Sequence, residues 1–117
     1  MSSRRNAFGH EVRSGVENHV CQDLSKKGIP HEHRSASFDV VLDSGRRSVF
    51  VPDIVIAYEG NTIIIQCVSN YRRGDPRIRK LRRFKKDNLK FYHIIIAAPK
   101  EIAGKLPKDS YDDLVEV

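Results

Sequence analysis

Two neighbouring segments carry residue types that suit metal-assisted chemistry. Asp53 follows Pro52 at the start of one apolar run, and Gln66 lies within a second apolar run a short turn later. An unpaired carboxylate in an apolar strand is costly or takes up a proton, so Asp53 needs a partner. A hard cation such as Mg²⁺ binds oxygen ligands and commonly uses one or two carboxylates with waters. An arginine, or backbone N–H groups at the strand start, would also satisfy Asp53.

The turn around Glu59-Gly60-Asn61 determines whether Asp53 and Gln66 meet. With Gly60-Asn61 as a two-residue turn, the two side chains are diagonal neighbours with Cα atoms roughly 7–8 Å apart. With Glu59-Gly60 as the turn, the two residues face each other directly. Both registers place the side chains on one face of the hairpin, where a single ion can bridge them. A three-residue loop without a bulge would place them on opposite faces.

A third polar residue, Glu17, borders the apolar face of the first predicted helix. It precedes Val20, Cys21 and Leu24, which recur at helical spacing, by three, four and seven residues. Ser14 and Glu17 also fit a capping box, in which the serine caps the helix and the glutamate bonds back to the helix start. The carboxylate of Glu17 therefore has two interpretations, a helix cap or a ligand that faces the sheet.

The elements around these residues follow from apolar spacing and from helix-capping residues. Ser14 and Gly28 bound the first predicted helix, and Asp75 caps a second helix with Pro76 at its first position. The other predicted elements are strands at 31–42, 48–57, 62–69 and 91–98, a short helix at 99–106 and an edge strand at 114–117. This order, αβββαβ plus a short αβ, indicates an α/β fold with a mixed sheet flanked by helices, because a helical crossover makes the next pairing parallel.

Size and hydropathy limit the class of protein. The 117 residues suffice for a single domain over 1–117, and residues 1–13 are polar enough to form a flexible N-terminal arm. The apolar runs are too short for a membrane span, and no signal peptide follows Met1. We therefore expect an intracellular, cytoplasmic protein with no membrane partner.

The cysteines and histidines give little indication of a metal site. Cys21 and Cys67 form no CxxC pair and lie in apolar stretches, so they are interpreted as reduced core residues. His31 and His33 would share one face of a strand, but that spacing alone is weak evidence for metal binding. The sequence favours a solvated strand face for these histidines and no zinc site.

Positive charge is concentrated in one segment of the chain. The net charge is +6, whereas the nineteen residues 72–90 hold ten Lys/Arg and two Asp, a local net of +8. Such a concentration favours a polyanionic partner, with a helix face made basic for solubility as the alternative. The predicted nucleic-acid-binding residues are Arg72, Arg73, Arg77, Arg79, Lys80, Arg82, Arg83, Lys85 and Lys86.

The segments Ser14-Gly15-Val16-Glu17, Lys27-Gly28-Ile29 and Pro52-Asp53 resemble the PD-(D/E)XK nuclease superfamily, most of all the Holliday-junction resolvases of phages (endonuclease I) and archaea. The likeness runs from about Ser14 to Ser69. It implies a restriction-endonuclease-like fold in which three acidic side chains hold Mg²⁺ or Mn²⁺ and a lysine activates water. The matching catalytic and metal-binding residues are Glu17, Asp53 and Gln66, with the backbone carbonyl of Cys67 as a further metal ligand.

Two residues depart from the superfamily pattern. Gln66 replaces the third acid and keeps an oxygen ligand without its charge, whereas Val68 replaces the lysine and offers neither charge nor proton. Another basic side chain could replace that lysine, and the candidates are Arg72, Arg73, Lys80 and Lys90.

Three functions stay open at this point. The first is a metal-dependent endonuclease that cleaves DNA, including junction or branched DNA, and acts as a homodimer. The second is a degenerate nuclease-fold module that binds nucleic acid without cleaving it. The third is an interaction domain in which Glu17 and Asp53 are structural.

Overall fold

A five-stranded mixed sheet with helices on both faces forms the body of the protein in a computed structural model, which describes residues 4–88 and 91–117. The helices are α1 (Gly15–Lys26), α2 (Pro76–Asp87) and α3 (Lys100–Ala103), with a 3₁₀ helix at Lys108–Ser110. The strands are β1 (Arg4–Arg5), β2 (Glu11–Val12), β3 (Glu32–His33), β4 (Phe38–Val41), β5 (Arg47–Phe50), β6 (Ile54–Tyr58), β7 (Asn61–Cys67), β8 (Tyr92–Ala98) and β9 (Asp113–Glu116). Within the described ranges, each helix is too short or too polar to cross a membrane.

The main sheet has the strand order β3-β6-β7-β8-β9. β3, β6 and β7 pair antiparallel, whereas β7 with β8 and β8 with β9 pair parallel. The parallel pairing of β7 and β8 across the α2 crossover confirms the predicted α/β class with a mixed sheet. β1 and β2 form a separate hairpin within the stretch predicted as a flexible arm, and residues 1–3 of that stretch lie outside the described residues.

The turn between β6 and β7 sets the register at the candidate site. Tyr58 pairs with Asn61, so Glu59 and Gly60 are the two turn residues. Their φ angles are 49° and 79°, as a type I′ turn requires. Ile54 pairs with Ile65, and the same register continued toward the open end of the hairpin places Asp53 opposite Gln66. The second of the two predicted registers is therefore the one that forms.

The two faces of β7 contact different helices. Ile65 and Cys67 pack with residues of α1 in one hydrophobic cluster, whereas Ile64 and Val68 pack with residues of α2 in another. Alternate residues of a strand point to opposite faces, so α1 and α2 cover opposite sides of the sheet. β7 is buried on both faces over its second half.

Both predicted N-caps are present. Oγ of Ser14 accepts a hydrogen bond from the N–H of Glu17 at 3.1 Å, and Oδ1 of Asp75 accepts one from the N–H of Arg77 at 2.9 Å. These bonds satisfy N–H groups that the helix itself leaves unpaired. They fix where α1 and α2 begin, and both helix starts lie at the same end of β7 as the candidate site.

Two of the predicted strands are each interrupted by a break. The range 31–42 divides into β3 and β4, where Arg34 takes a φ of 50°, and 48–57 divides into β5 and β6. Pro52 lies at the second break because it has no N–H to donate to a sheet ladder. The β4–β5 hairpin leaves the main sheet and packs on α2, where the rings of Phe38 and Phe50 lie 4.8 and 4.9 Å from that of Phe84.

Candidate functional site

The predicted site residues Glu17, Asp53, Gln66 and Cys67 line one cavity of about 210 Å³. The start of α1 supplies Glu17, the segment before β6 supplies Asp53, and the end of β7 supplies the other two. The cavity lies at the carboxyl end of the parallel strands, where ligands commonly bind in α/β sheets. The structure therefore brings together residues that are up to 50 positions apart in the chain.

Asp53 and Gln66 are tied together through the backbone. The N–H of Asp53 donates to Oε1 of Gln66 at 3.3 Å, and the N–H of Cys67 donates to Oδ2 of Asp53 at 2.9 Å. Burial raises the pKa of Asp53 to about 6, against the opposing effect of the Cys67 N–H and with a further upward effect from the charge of Glu17. Among the described residues, Oδ1 of Asp53 has no hydrogen-bond donor, which leaves one oxygen of a buried carboxylate available to a ligand.

Glu17 is only 1% exposed, and both of its carboxylate oxygens accept hydrogen bonds. Oε1 accepts from the N–H of Arg13 at 3.1 Å, and Oε2 accepts from Nδ1 of His33 at 2.6 Å and Nη1 of Arg34 at 2.7 Å. Burial acts to raise the pKa of Glu17, but the bonds from His33 and Arg34 outweigh it and lower the pKa. The predicted capping box is altered, because the carboxylate of Glu17 accepts from the backbone N–H of Arg13 and not from that of Ser14.

Arg34 is a site residue that the sequence did not reveal. Its Nη1 lies 2.7 Å from Oε2 of Glu17 and 3.9 Å from Oδ1 of Asp53, and its Nη2 donates to the carbonyl of Glu11 at 2.9 Å. The φ of 50° is in the left-handed region, which costs a residue other than glycine roughly 1–2 kcal/mol. These contacts hold the strained backbone and place a fixed positive charge beside both carboxylates.

Position 68 lies in the core, so a side chain there does not simply take over the part of the missing lysine. Val68 is 1% exposed and belongs to the core beneath α2. Of the four candidates for a displaced basic group, Arg72 and Arg73 line a neighbouring cavity of about 530 Å³, and Lys80 lies half-buried on α2. The fourth, Lys90, lies outside the described residues.

Two other arginines line the candidate cavity, and the sequence singled out only one of them. They are Arg13, just before α1, and Arg77, in the first turn of α2. Arg77 is held in place by Oδ2 of Asp75 at 2.8 Å and by the carbonyl of Asn70 at 2.9 Å. Their guanidinium groups supply positive charge to the same cavity as the carboxylates.

Acidic residues neutralise part of the basic surface of α2. Four of the nine predicted nucleic-acid-binding residues form ion pairs, namely Arg77 with Asp75, Arg82 with Asp109, Arg83 with Asp87 and Asp43, and Lys85 with Asp112. The other five have no acidic partner within 4.0 Å among the described residues, and these are Arg72, Arg73, Arg79, Lys80 and Lys86. The surface keeps free positive charge both on α2 and in the loop before it.

The surroundings of Cys21 correct the sequence interpretation of the histidines. Sγ of Cys21 lies 3.1–3.3 Å from ring nitrogens of His10, His31 and His33, so its side chain is not in an apolar pocket. His31 and His33 do lie on one face, but that face is turned inward and not toward solvent. Cys67, by contrast, lies in an apolar cluster as predicted, and burial raises the pKa of its thiol well above the ordinary value.

Of the comparisons with known proteins, the one with solved structures gives matches. No protein-family model matches this chain, and no curated protein matches it. Four solved chains match, among them the small subunit of the heterodimeric restriction endonuclease R.BspD6I, with a TM-score of 0.47 and 18% sequence identity. The match covers 86% of this chain and 61% of that subunit, so this chain spans less than two thirds of the subunit's length.

Proposed function

We propose that this protein is a metal-dependent DNA endonuclease that hydrolyses phosphodiester bonds. The observation that carries the proposal is the convergence of Glu17, Asp53 and Gln66 on one cavity, where burial raises the pKa of Asp53 to about 6. Buried carboxylates with displaced pKa values in a cleft are typical of functional sites. A divalent cation that binds their oxygens would relieve the cost of burying the charge.

The chemistry of the donors suits a hard cation such as Mg²⁺ or Mn²⁺. Asp53 offers Oδ1, Gln66 offers its amide oxygen, and Cys67 offers its backbone carbonyl. Glu17 has less to offer, because three donors already occupy its two oxygens and leave a lone pair on Oε1. When bound, such a cation polarises the phosphate and lowers the pKa of coordinated water.

The protein's own part in this chemistry is to position groups and to stabilise charge. The hydrogen bonds between Asp53, Gln66 and Cys67 fix the positions of the ligand oxygens relative to one another. Arg13 and Arg77 line the same cavity and can bind phosphate oxygens on which negative charge develops. Arginine stays protonated, so these two residues act as electrostatic groups and not as bases.

DNA binding in this proposal uses the loop before α2 and the exposed face of α2. Asn70 borders both the candidate cavity and the cavity lined by Arg72 and Arg73, so basic groups continue outward from the carboxylates. Arg79 and Lys86 extend this surface along a cavity of about 440 Å³ beside α2. The resemblance to resolvases adds junction or branched DNA as substrate and a homodimer as assembly.

Two observations favour a second function, binding of nucleic acid without cleavage. Val68 replaces the lysine and is buried beneath α2, so its position cannot supply a catalytic group. Arg34 lies beside both carboxylates and can balance their charge in the place of a metal. The same fold would then grip DNA without a complete hydrolytic site.

Cleavage assays on plasmid DNA and four-way junction DNA distinguish these functions. We expect cleavage that requires Mg²⁺ or Mn²⁺, is lost in Asp53→Ala and is retained in Asp39→Ala, an exposed aspartate of β4 that serves as the matched control. Salt-sensitive DNA binding without cleavage under either metal would establish the second function. Absence of DNA binding at low salt would contradict both.

A further inference from the structure

We propose that His10, Cys21, His31 and His33 form a zinc-binding site. It is separate from the cavity that Asp53 and Gln66 line. Sγ of Cys21 lies 3.3 Å from Nδ1 of His10, 3.1 Å from Nε2 of His31 and 3.3 Å from Nε2 of His33. Nδ1 of His10 lies 3.3 Å from Nε2 of His33, and all four ligand atoms lie within 4.8 Å of one another. One ion can therefore reach all of them.

Four of the six separations between ligand atoms are close to those of a tetrahedral zinc site. With Zn–N of about 2.0–2.1 Å and Zn–S of about 2.3 Å, tetrahedral angles place ligand atoms roughly 3.3–3.6 Å apart. Four of the separations are 3.1–3.3 Å and the other two are within 4.8 Å, so modest side-chain shifts would bring the four atoms around one ion. Imidazole nitrogen and thiolate sulfur are the donors that zinc prefers, whereas Mg²⁺ prefers oxygen.

Two of the imidazoles are oriented by a hydrogen bond on their far side. Nδ1 of His31 lies 2.9 Å from the carbonyl oxygen of Ile29, and Nδ1 of His33 lies 2.6 Å from Oε2 of Glu17. Both partners can only accept, so each Nδ1 carries the proton and each Nε2 turns its lone pair toward Cys21. Imidazoles that ligate metal are commonly fixed in this way by a carbonyl or a carboxylate.

Without a cation, the inward-facing nitrogens can be satisfied by only two protons. His31 and His33 both present an unprotonated nitrogen, so the thiol of Cys21 must donate to one of them and Nδ1–H of His10 must donate to the other. Nδ2 of Asn6 also donates to Sγ at 3.3 Å, which suits a thiolate. Cys21 is fully buried, and the side chain of His33 is 9% exposed, so the group is largely shielded from water. A zinc ion would accept all four lone pairs together.

The position of this group indicates a structural role for the metal. His10 lies between β1 and β2, Cys21 lies on α1, and His31 and His33 flank Glu32 at β3. Four protein ligands leave no open coordination position, as in structural zinc sites. The ion would join the N-terminal hairpin, the first helix and the edge strand. None of its ligands belongs to the proposed Mg²⁺ site, so failure of the nuclease proposal would leave this inference intact.

Metal analysis of the untagged protein, purified without chelators, tests the site. We expect about one zinc ion per chain in the wild type and in His19→Ala, an exposed histidine of α1, and loss of that zinc in Cys21→Ser and His31→Ala. We also expect Co²⁺ added to the metal-free wild type to produce the thiolate charge-transfer band and intense visible absorption of a tetrahedral site. This second measurement needs no variant to fold.

Two results would overturn the inference. One is wild-type protein that contains no zinc after growth with added zinc and shows no thiolate band with Co²⁺. The other is zinc retained equally by Cys21→Ser and His31→Ala, because a metal held elsewhere on the surface would not depend on these side chains. Glu17→Gln offers a graded test, with zinc affinity expected to fall about 10–100-fold through the weakened support of His33.

Discussion

Nδ1 of His33 lies 2.6 Å from Oε2 of Glu17, and this hydrogen bond joins two different groups of potential metal ligands. On one side, Glu17 lines the cavity that also contains Asp53 and Gln66. On the other side, Nε2 of His33 faces the sulfur of Cys21 at 3.3 Å. Glu17 therefore takes part in both groups. A contact that holds the ring of His33 in place also holds the carboxylate of Glu17 at the start of α1.

The first prediction concerns Asp53 and pH. Burial raises its pKa from 3.8 to about 6 in the folded protein, so the folded state holds this proton more tightly than the unfolded chain. Protonated Asp53 therefore makes its full contribution to the stability of the folded state below about pH 4. This contribution, at most about 3 kcal/mol, is lost as the pH rises through about 6. In Asp53→Asn the amide oxygen can still accept from the N–H of Cys67.

We therefore expect Asp53→Asn to raise the free energy of unfolding by about 1–2 kcal/mol at about pH 8 without divalent metal, and by much less at about pH 4. Urea unfolding at both pH values measures the difference. Asp39→Asn, at an exposed position, should change stability little at either pH. An equal change in the free energy of unfolding at the two pH values would show that burial does not destabilise the ionised carboxylate of Asp53.

The second prediction concerns Val68→Lys, the change that would restore the superfamily residue. Val68 packs with Ile64 and Leu81 in the core, so a lysine there would bury a charge without a partner. We expect a loss of about 3 kcal/mol or more in stability and no gain in cleavage. Val49→Lys, at a 49% exposed position of β5, should cost little in thermal unfolding. Increased cleavage by Val68→Lys would mean that the lysine reaches the cavity after all.

The third prediction separates the two roles of Arg34, its charge and its backbone conformation. Arg34→Ala leaves the buried Glu17 with fewer donors and keeps the strained φ of 50°, so we expect a loss of about 3–5 kcal/mol. Arg34→Gly also removes the charge but adopts that φ freely, so it should be about 1 kcal/mol more stable than Arg34→Ala. Denaturant unfolding of both variants tests this order, and the reverse order would contradict the strained conformation.

The fourth prediction concerns DNA binding by the unpaired basic residues. Arg72 and Arg79 have no acidic partner within 4.0 Å among the described residues, so both are free to contact phosphate. Arg72→Ala with Arg79→Ala should lower the slope of log affinity against log salt by about 2, between about 50 and 200 mM salt. Fluorescence anisotropy with a DNA duplex measures the slope.

Lys100→Ala with Lys105→Ala is the matched control for this measurement, because both lysines are exposed and lie in the segment around α3, outside the basic loop and α2. The control pair should leave the slope unchanged. An equal reduction by both pairs would mean that DNA binds through overall charge and not through the surface formed by α2 and the loop before it.

The sequence by itself determined the local features of the fold and part of the site. Ser14 and Asp75 cap their helices because the caps need only neighbouring N–H groups. Asp53 and Gln66 share a face because a two-residue turn sets the register of the whole hairpin. Such features depend on residues that are adjacent or joined by one turn, so spacing is enough to predict them.

Only the tertiary structure decided how distant segments meet. The approach of Arg34 to Glu17 and Asp53 depends on where β3 joins the edge of the sheet after a left-handed residue. The grouping of Cys21 with His10 and the histidines flanking β3 depends on how α1 packs between the N-terminal hairpin and the sheet. His10, Cys21 and the pair His31 and His33 lie 10–23 positions apart without a periodic pattern, and side chains so spaced converge only when packing brings their elements together.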